Sequence, residues 1–323
     1  MFFQNNYIEY SSNKIGSIWI PFLLREGYIG EVVNVFRRTI NIRNTNNTLL
    51  SITALNYYSP IYINIPSNVF INFQEVVKPY SPVFIRKPYI IVGRLKIHYN
   101  INTRTIYSTQ ICHMCNIVSS FTADDNFLLK IYKRISFIID IVDKSDNIIE
   151  MLRKASLTSN IKELLLELKK TLKRNGNSQK KYMQISEKFY SILGLGYGVT
   201  PSSDDYVGGL LGVINTYLAC NYKKPLILDL RRVLSRTNWV SGYLLYYNHV
   251  GLFNNIFEDF IAGIFRKELA RSIDAFISLL SIGHTSGLDM ALGALGGFAI
   301  IGSLKGCEKC LEEYFSLFYE NLS

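Results

Sequence analysis

The sequence predicts an α+β protein: an N-terminal antiparallel β barrel-like domain over residues 1–120, then an all-helical C-terminal domain over 121–323 with closely packed glycine-rich helices. Three observations carry this expectation. The first 120 residues are rich in Ile, Val, Tyr and Phe and are cut at short intervals by turn formers. From about Ala123 the apolar residues recur at three- and four-residue steps, the period of a helix. Two long apolar stretches, Tyr206–Cys220 and Met290–Leu304, carry regularly spaced glycines.

In chain order, strands are expected at 17–24, 31–42, 49–55, 61–65, 69–73, 83–85, 90–97 and 104–111. Asn44–Asn47, Ser59-Pro60, Pro66–Asn68 and Asn100–Asn102 are the turns between them. Many short strands with close turns favour one antiparallel sheet curled on itself. Leu128, Ile131, Ile135, Ile138 and Ile139 then mark a first long helix. Thr158-Ser159-Asn160 opens a second, with Glu163 at capping-box distance. Further helices are expected at 178–192, 206–220, 226–247, 253–266, 268–280, 290–304 and 308–322. No low-complexity linker separates the two halves.

At 48% hydrophobic and 19% charged residues, the 323-residue chain has ample material for a core and is neither disordered nor fibrous. Mean hydropathy is +0.12, which raises the question of a membrane. The two long apolar stretches are shorter than the roughly 20 residues that a spanning helix needs, so both read as buried helices. The N-terminal residues lack the basic start and apolar core of a signal peptide, and a cytoplasmic location is expected. The net charge of +10 is spread evenly, about +5 on each side of residue 150. The one basic cluster, Lys169 to Lys181, reads as a solvated helix end. Such an excess of positive charge suits nucleic acid, an anionic membrane surface or a small anionic metabolite, and its even spread gives nucleic acid little support as a partner.

Two motifs carry chemical information. The first is Gly194-Leu195-Gly196-Tyr197-Gly198-Val199-Thr200-Pro201-Ser202-Ser203-Asp204-Asp205, followed by an apolar helix. Alternate glycines let a backbone approach a ligand closely. Thr200 suits an N-cap, and Pro201 the first helical position. The exposed N–H groups of such a helix start attract anions, whereas Asp204 and Asp205 repel them unless a cation or an amide lies between. The second motif is Gly283-His284-Thr285-Ser286-Gly287-Leu288-Asp289, again ahead of an apolar helix. Ser286 and Asp289 have capping-box spacing. His284, one of only four histidines, sits at a loop-to-helix junction where polar groups meet ligands.

An offset of 85 residues superimposes the two motifs. Gly198, Thr200, Asp204, Gly208, Leu210 and Gly212 match Gly283, Thr285, Asp289, Gly293, Leu295 and Gly297. Asp followed by Gly four and eight residues on lies along one helical face. The register predicts two helices packed closely on glycine, with both loops and the pair Asp204/Asp289 at one end.

The five cysteines include two CxxC pairs, Cys112/Cys115 and Cys307/Cys310. Buried thiols are the first expectation. A four-thiolate zinc site and redox disulfides are the alternatives.

The GLGxGxTPSxDD and GH[TS]SGxD stretches, with a linking Thr-x3-Ser segment at Thr237 and Ser241, resemble the AllH-type family. Its named member is a subunit of the oxamate carbamoyltransferase of allantoin degradation. The likeness extends loosely to Gly30–Phe36, Asn41 and Ser59-Pro60; Tyr197 and Ser203 stand where the family usually has Pro and Gly. The resemblance implies carbamoyl transfer among oxamate, oxalurate, phosphate and carbamoyl phosphate, and partnership with other carbamoyltransferase subunits. In that setting the backbone of Gly196, Gly198, Ser202 and Ser203, with Thr200, Thr285, Ser286 and Gly287, would bind the substrate. Asp204, Asp205 or Asp289 would accept amide protons or hold Mg²⁺ as a cofactor, and His284 would donate to developing charge. Neither motif contains Arg or Lys, so Arg236, Arg266 or Arg271 would have to reach in. A non-catalytic binding or regulatory subunit with the same pocket is the alternative.

Overall fold

The computed structural model describes residues 7–102, 104–109, 114–122, 125–142, 155–173, 179–196 and 198–319. The protein is α+β, and the chain divides into two compact units: Met1–Thr109 with Leu252–Asn255, and Gln110–Gly251 with Ile256–Ser323.

The first unit is a ten-stranded curled sheet, a half-barrel. Its strands are β1 (Ile8–Ser11), β2 (Lys14–Gly16), β3 (Gly27–Val35), β4 (Thr39–Asn44), β5 (Leu49–Thr53), β6 (Tyr62–Asn64), β7 (Pro82–Arg86), β8 (Tyr89–Val92), β9 (Leu95–His98) and β10 (Ile106–Tyr107). They lie in the order β1-β9-β8-β7-β3-β4-β5-β6-β2-β10. The pairs β1/β9, β5/β6 and β2/β10 are parallel and the other six antiparallel, so the sheet is mixed. Strict alternation sets its faces. Ile40, Ile42, Leu50, Ile52 and Ile63 enter the apolar core with Trp19, Val83 and Ile97. The intervening Asn41, Ser51, Thr53 and Asn64 are buried too, and Ser51 Oγ donates to Asn41 Oδ1 at 2.8 Å.

Two expected strands are something else. Residues 17–24 form a 3-10 turn (Ser17–Trp19) running into α1 (Ile20–Leu23), because Pro21 stands in its first turn and the indole of Trp19 donates to Ile61 O at 2.8 Å. Residues 69–73 are a loop entering α2 (Phe73–Val76), capped by Asn72, whose side chain accepts from Gln74 N–H. The single runs 31–42 and 90–97 each contain a hairpin. The first turns through Phe36–Arg38 and is closed by Phe36 N–H to Thr39 O at 2.8 Å.

The second unit is helical: α3 (Cys115–Ser119), α4 (Asp125–Ile141), α5 (Ala155–Lys173), α6 (Gln179–Ile192), α7 (Ser202–Cys220), α8 (Leu230–Leu234), α9 (Trp239–His249), α10 (Asn255–Phe265), α11 (Leu269–Leu279), α12 (Ser286–Leu304) and α13 (Cys310–Tyr319). The expected helix 226–247 is broken between α8 and α9, where Asp229 and Asn238 each cap a separate start. Its two central members, α7 and α12, are buried along nearly their whole lengths. Among the described residues, α12 is the one helix long and apolar enough to cross a membrane, and 89% of its apolar window is buried inside the protein.

Cys115 is joined to Cys220, tying α3 to the end of α7, and Cys307 to Cys310 at the start of α13. Four cysteines expected first as thiols are therefore disulfides. The proposed four-thiolate zinc set is not assembled either, since Cys115 bonds outside it; Cys112 lies outside the described residues.

Candidate functional site

Helices α7 and α12 run parallel and touch through their backbones. A Cβ on Gly293 would lie 1.9 Å from Tyr206 O, and one on Gly209 would lie 1.9 Å from Met290 O. Glycine is thus a geometric requirement at both positions, for no side chain fits between the two backbones. The repeat is only half right about which glycines matter. Gly293 and Gly297 of α12 face α7, as expected, but the contact glycine of α7 is Gly209. Gly208 faces Asn248 and Leu245 of α9.

The two helix starts lie together. Thr200 Oγ1 and Ser286 Oγ are 2.8 Å apart. Helix α7 begins at Ser202 with Pro201 as its N-cap, and α12 begins at Ser286 with Thr285 as its N-cap; neither cap uses a side chain. The hydroxyls of Thr200 and Ser286, expected as caps or as half of a capping box, bond to each other instead.

The acidic residues divide the work. Asp204, 2% exposed, is sewn into its own loop. Its Oδ1 accepts from Gly194 N–H at 2.8 Å, and its Oδ2 accepts from Ser241 Oγ at 2.7 Å and from Thr237 Oγ1. Burial raises its pKa, and the hydrogen bonds from Thr237, Ser241 and Gly194 oppose that rise. Asp205 faces the other motif. Its pKa is raised well above the usual carboxylate value, first by desolvation and then by the charge of Asp289, against the pull of the Ser286 and Thr200 hydroxyls. Asp289 is fully buried. Asp204 and Asp289 thus lie in the first turns of the paired helices, as the repeat predicts, and Asp205 is the carboxylate whose proton the charge of Asp289 holds.

Further bonds close the first loop. Leu195 N–H donates to Ser203 Oγ at 2.9 Å, and Ser203 N–H returns to Leu195 O at 3.1 Å. The Ser203 N–H, expected to cradle an anion, is thereby taken, and Ser202 is 1% exposed. Asn238, which the motifs did not single out, caps α9 through Ser241 N–H at 3.0 Å and holds Val199 O with its amide at 2.7 Å. Its signal was legible as Asn three residues before Ser241 at a helix start.

Among the described residues, the exposed positions of the two loops are Leu195, Gly198, Val199, Gly283 and His284, with Gly194, Gly196, Thr200 and Ser286 partly exposed; Tyr197 lies outside the described residues. Thr285 is buried, and a Cβ on Gly287 would lie 1.8 Å from Leu279 O, which seats α12 on the end of α11. Of the three arginines, Arg271 is paired with Asp259 and Glu268 on the surface, while Arg236 and Arg266 are exposed. Mg²⁺ takes about six oxygen ligands. Asp205 and Asp289 offer two carboxylates, and among the described residues no group of three His, Cys, Asp or Glu side chains could hold a metal.

This arrangement defines an α+β protein whose helical unit carries a polar site at the shared N-terminal end of two glycine-packed helices. The family model described as oxamate carbamoyltransferase subunit AllH matches residues 192–298, from the first glycine loop through most of α12. Over that segment the chain is similar to the AllH-type family, the family its two motifs resemble. No solved structure matches the chain.

Proposed function

We propose that this chain is a carbamoyltransferase-like subunit that binds a small anionic substrate at the two glycine-rich loops: oxamate or oxalurate, carbamoyl phosphate or phosphate. One observation carries the reading. Two parallel helices present their positive ends at one place, beside an exposed glycine backbone and two close carboxylates. In the forward reaction the amide nitrogen of oxamate attacks the carbamoyl carbon, the carbon–oxygen bond to phosphate breaks, and the nitrogen loses a proton. The helix ends and the backbone at Gly196 and Gly198 suit the departing phosphate. Asp205 or Asp289 suits the proton, and the exposed His284 suits the charge that develops on the carbamoyl oxygen. A cytoplasmic setting and other carbamoyltransferase subunits belong to the same reading. The absence of Arg and Lys from both motifs favours a second one, a subunit that binds ligand but needs a partner for turnover.

Calorimetry of the full chain with carbamoyl phosphate and with oxamate tests the site. Binding of at least one is expected, weakened about tenfold or more in His284→Ala and in Asp289→Asn. A folded chain that binds neither rejects the reading. Turnover by the isolated chain then separates the two forms: activity supports the catalytic one, and binding without activity the other.

A further inference from the structure

The strand-rich unit carries a second candidate site that shares no residue with the glycine loops. Residues 1–109 contain eleven Lys and Arg, four Glu and no Asp. The even charge balance across residue 150 hides this bias. Within the unit, the tip of the β3–β4 hairpin places Arg37 and Arg38 side by side. Arg38 is anchored there: its guanidinium donates to Ser67 O at 2.6 Å and to Ala54 O, and its own carbonyl accepts from Ala54 N–H at 3.0 Å. Phe73 N–H bonds to Arg37 O at 3.0 Å, which fixes the hairpin against the loop 66–72. Between the tip and this loop lies a groove of about 310 Å³ lined by Arg37, Arg38, Ser67, Asn68, Phe70 and Ile71. The Arg37 guanidinium stands 5.9 Å from the centre of the Phe70 ring, and Phe70 is 89% exposed.

An exposed phenylalanine at the mouth of a groove, flanked by an exposed guanidinium, offers a stacking surface and an anion clamp at once. Ligand pockets begin at about 300 Å³, so the groove admits a small ligand with one planar ring system. We propose that this groove binds a nucleoside monophosphate, with its base stacked on Phe70 and its phosphate held by Arg37 at a tip that Arg38 keeps rigid. The phosphate-bearing nucleotide is the recognised chemistry, and the free nucleotide is the source to which the proposal commits.

The test is calorimetry on the full chain with AMP, adenosine, inorganic phosphate and a short single-stranded oligonucleotide. AMP is expected to bind about tenfold or more tightly than adenosine or phosphate, because each of these keeps only one of the two contacts. Arg37→Gln and Phe70→Ser change exposed side chains and should leave the circular dichroism spectrum unchanged. Each is expected to weaken AMP about tenfold. No AMP binding, binding unaltered in both variants, phosphate binding as tight as AMP, or binding of the oligonucleotide alone would each overturn the proposal. Carbamoyl phosphate binding measured in the same variants keeps the two sites apart, since it depends on the glycine loops and is expected to be unchanged.

Discussion

The two glycine-rich motifs look like copies of one another, yet the protein uses them differently. In the first, Asp204 spends its carboxylate on Gly194, Thr237 and Ser241 and so orders its own loop. In the second, the aligned Asp289 is buried at the helix start, and the residue whose proton it influences is Asp205. The glycines diverge in the same way. Gly293 meets the α7 backbone, while its counterpart Gly208 meets the end of an Asn248 side chain. Equal residues at equal spacing therefore mark a shared helix start without assigning shared roles. A residue's role follows from the element packed against it.

The comparison can be broken most forcefully at the glycines. Gly293→Ala or Gly209→Ala sets a methyl 1.9 Å from a backbone oxygen, which only separation of the two helices can relieve. A loss of ~3 kcal/mol or more is expected in denaturant melts of the helical signal. Gly208→Ala meets Asn248 Nδ2 at 3.0 Å, a flexible side-chain end, and gains up to ~1 kcal/mol of helix propensity. It should stay within about 1 kcal/mol of the parent. Equal costs at Gly208 and Gly209 would refute the asymmetry.

Next in size is Asp204→Ala. It strands an amide and two hydroxyls and should cost ~2–4 kcal/mol. Because its carboxylate orders the loop, Asp204→Asn is expected to disturb folding as well as ligand binding. A fully stable Asp204→Ala would contradict that role.

Asp205→Asn sharpens the comparison through pH. The native pKa of Asp205 is raised, so the folded state holds its proton above the unfolded value near 4. Between these two values the native state binds more protons than the unfolded one, and stability falls as pH rises. Asparagine removes that slope, so melting temperature should decline less between pH 4 and 7 than in the parent. An unchanged profile would show that the Asp205 carboxyl is not held above its unfolded value. The smallest effect is expected from Thr200→Val, about 1 kcal/mol for the bond to Ser286, read from the same melts.

Much of the architecture was legible because it follows from periodicity. The helical half, the buried α7 and α12 and their adjacency can be read from glycine and aspartate recurring on a helical face. The sequence misled where local propensity competed with tertiary contact. Ile18, Trp19 and Ile20 suggest a strand, but Pro21 and the Trp19 indole bond select a helical turn. Gly208 and Gly209 are indistinguishable in composition, and only the neighbouring helix decides between them. The Cys115–Cys220 bond joins residues 105 apart, which no spacing rule reveals. Asp204 and Asp205 are both candidates by sequence, but the repeat aligns only Asp204 with Asp289, and the different partners of the two neighbours come from the elements packed against them.

The residues Leu252–Asn255 have a consequence for how the protein can be divided. They leave the helical part of the chain and complete the strand-rich unit: Phe253 is fully buried, and Asn255 exchanges hydrogen bonds with Tyr58 through Tyr58 N–H to Asn255 Oδ1 at 2.6 Å and Asn255 N–H to Tyr58 O at 2.9 Å. A gene fragment ending at residue 109 would thus encode the strand-rich unit without four of its residues and without the partner of Tyr58. The segment matched by the family model, 192–298, contains these four residues. Recombination or truncation that moves the glycine loops therefore also moves four residues of the strand-rich unit, so the two stretches are inherited together.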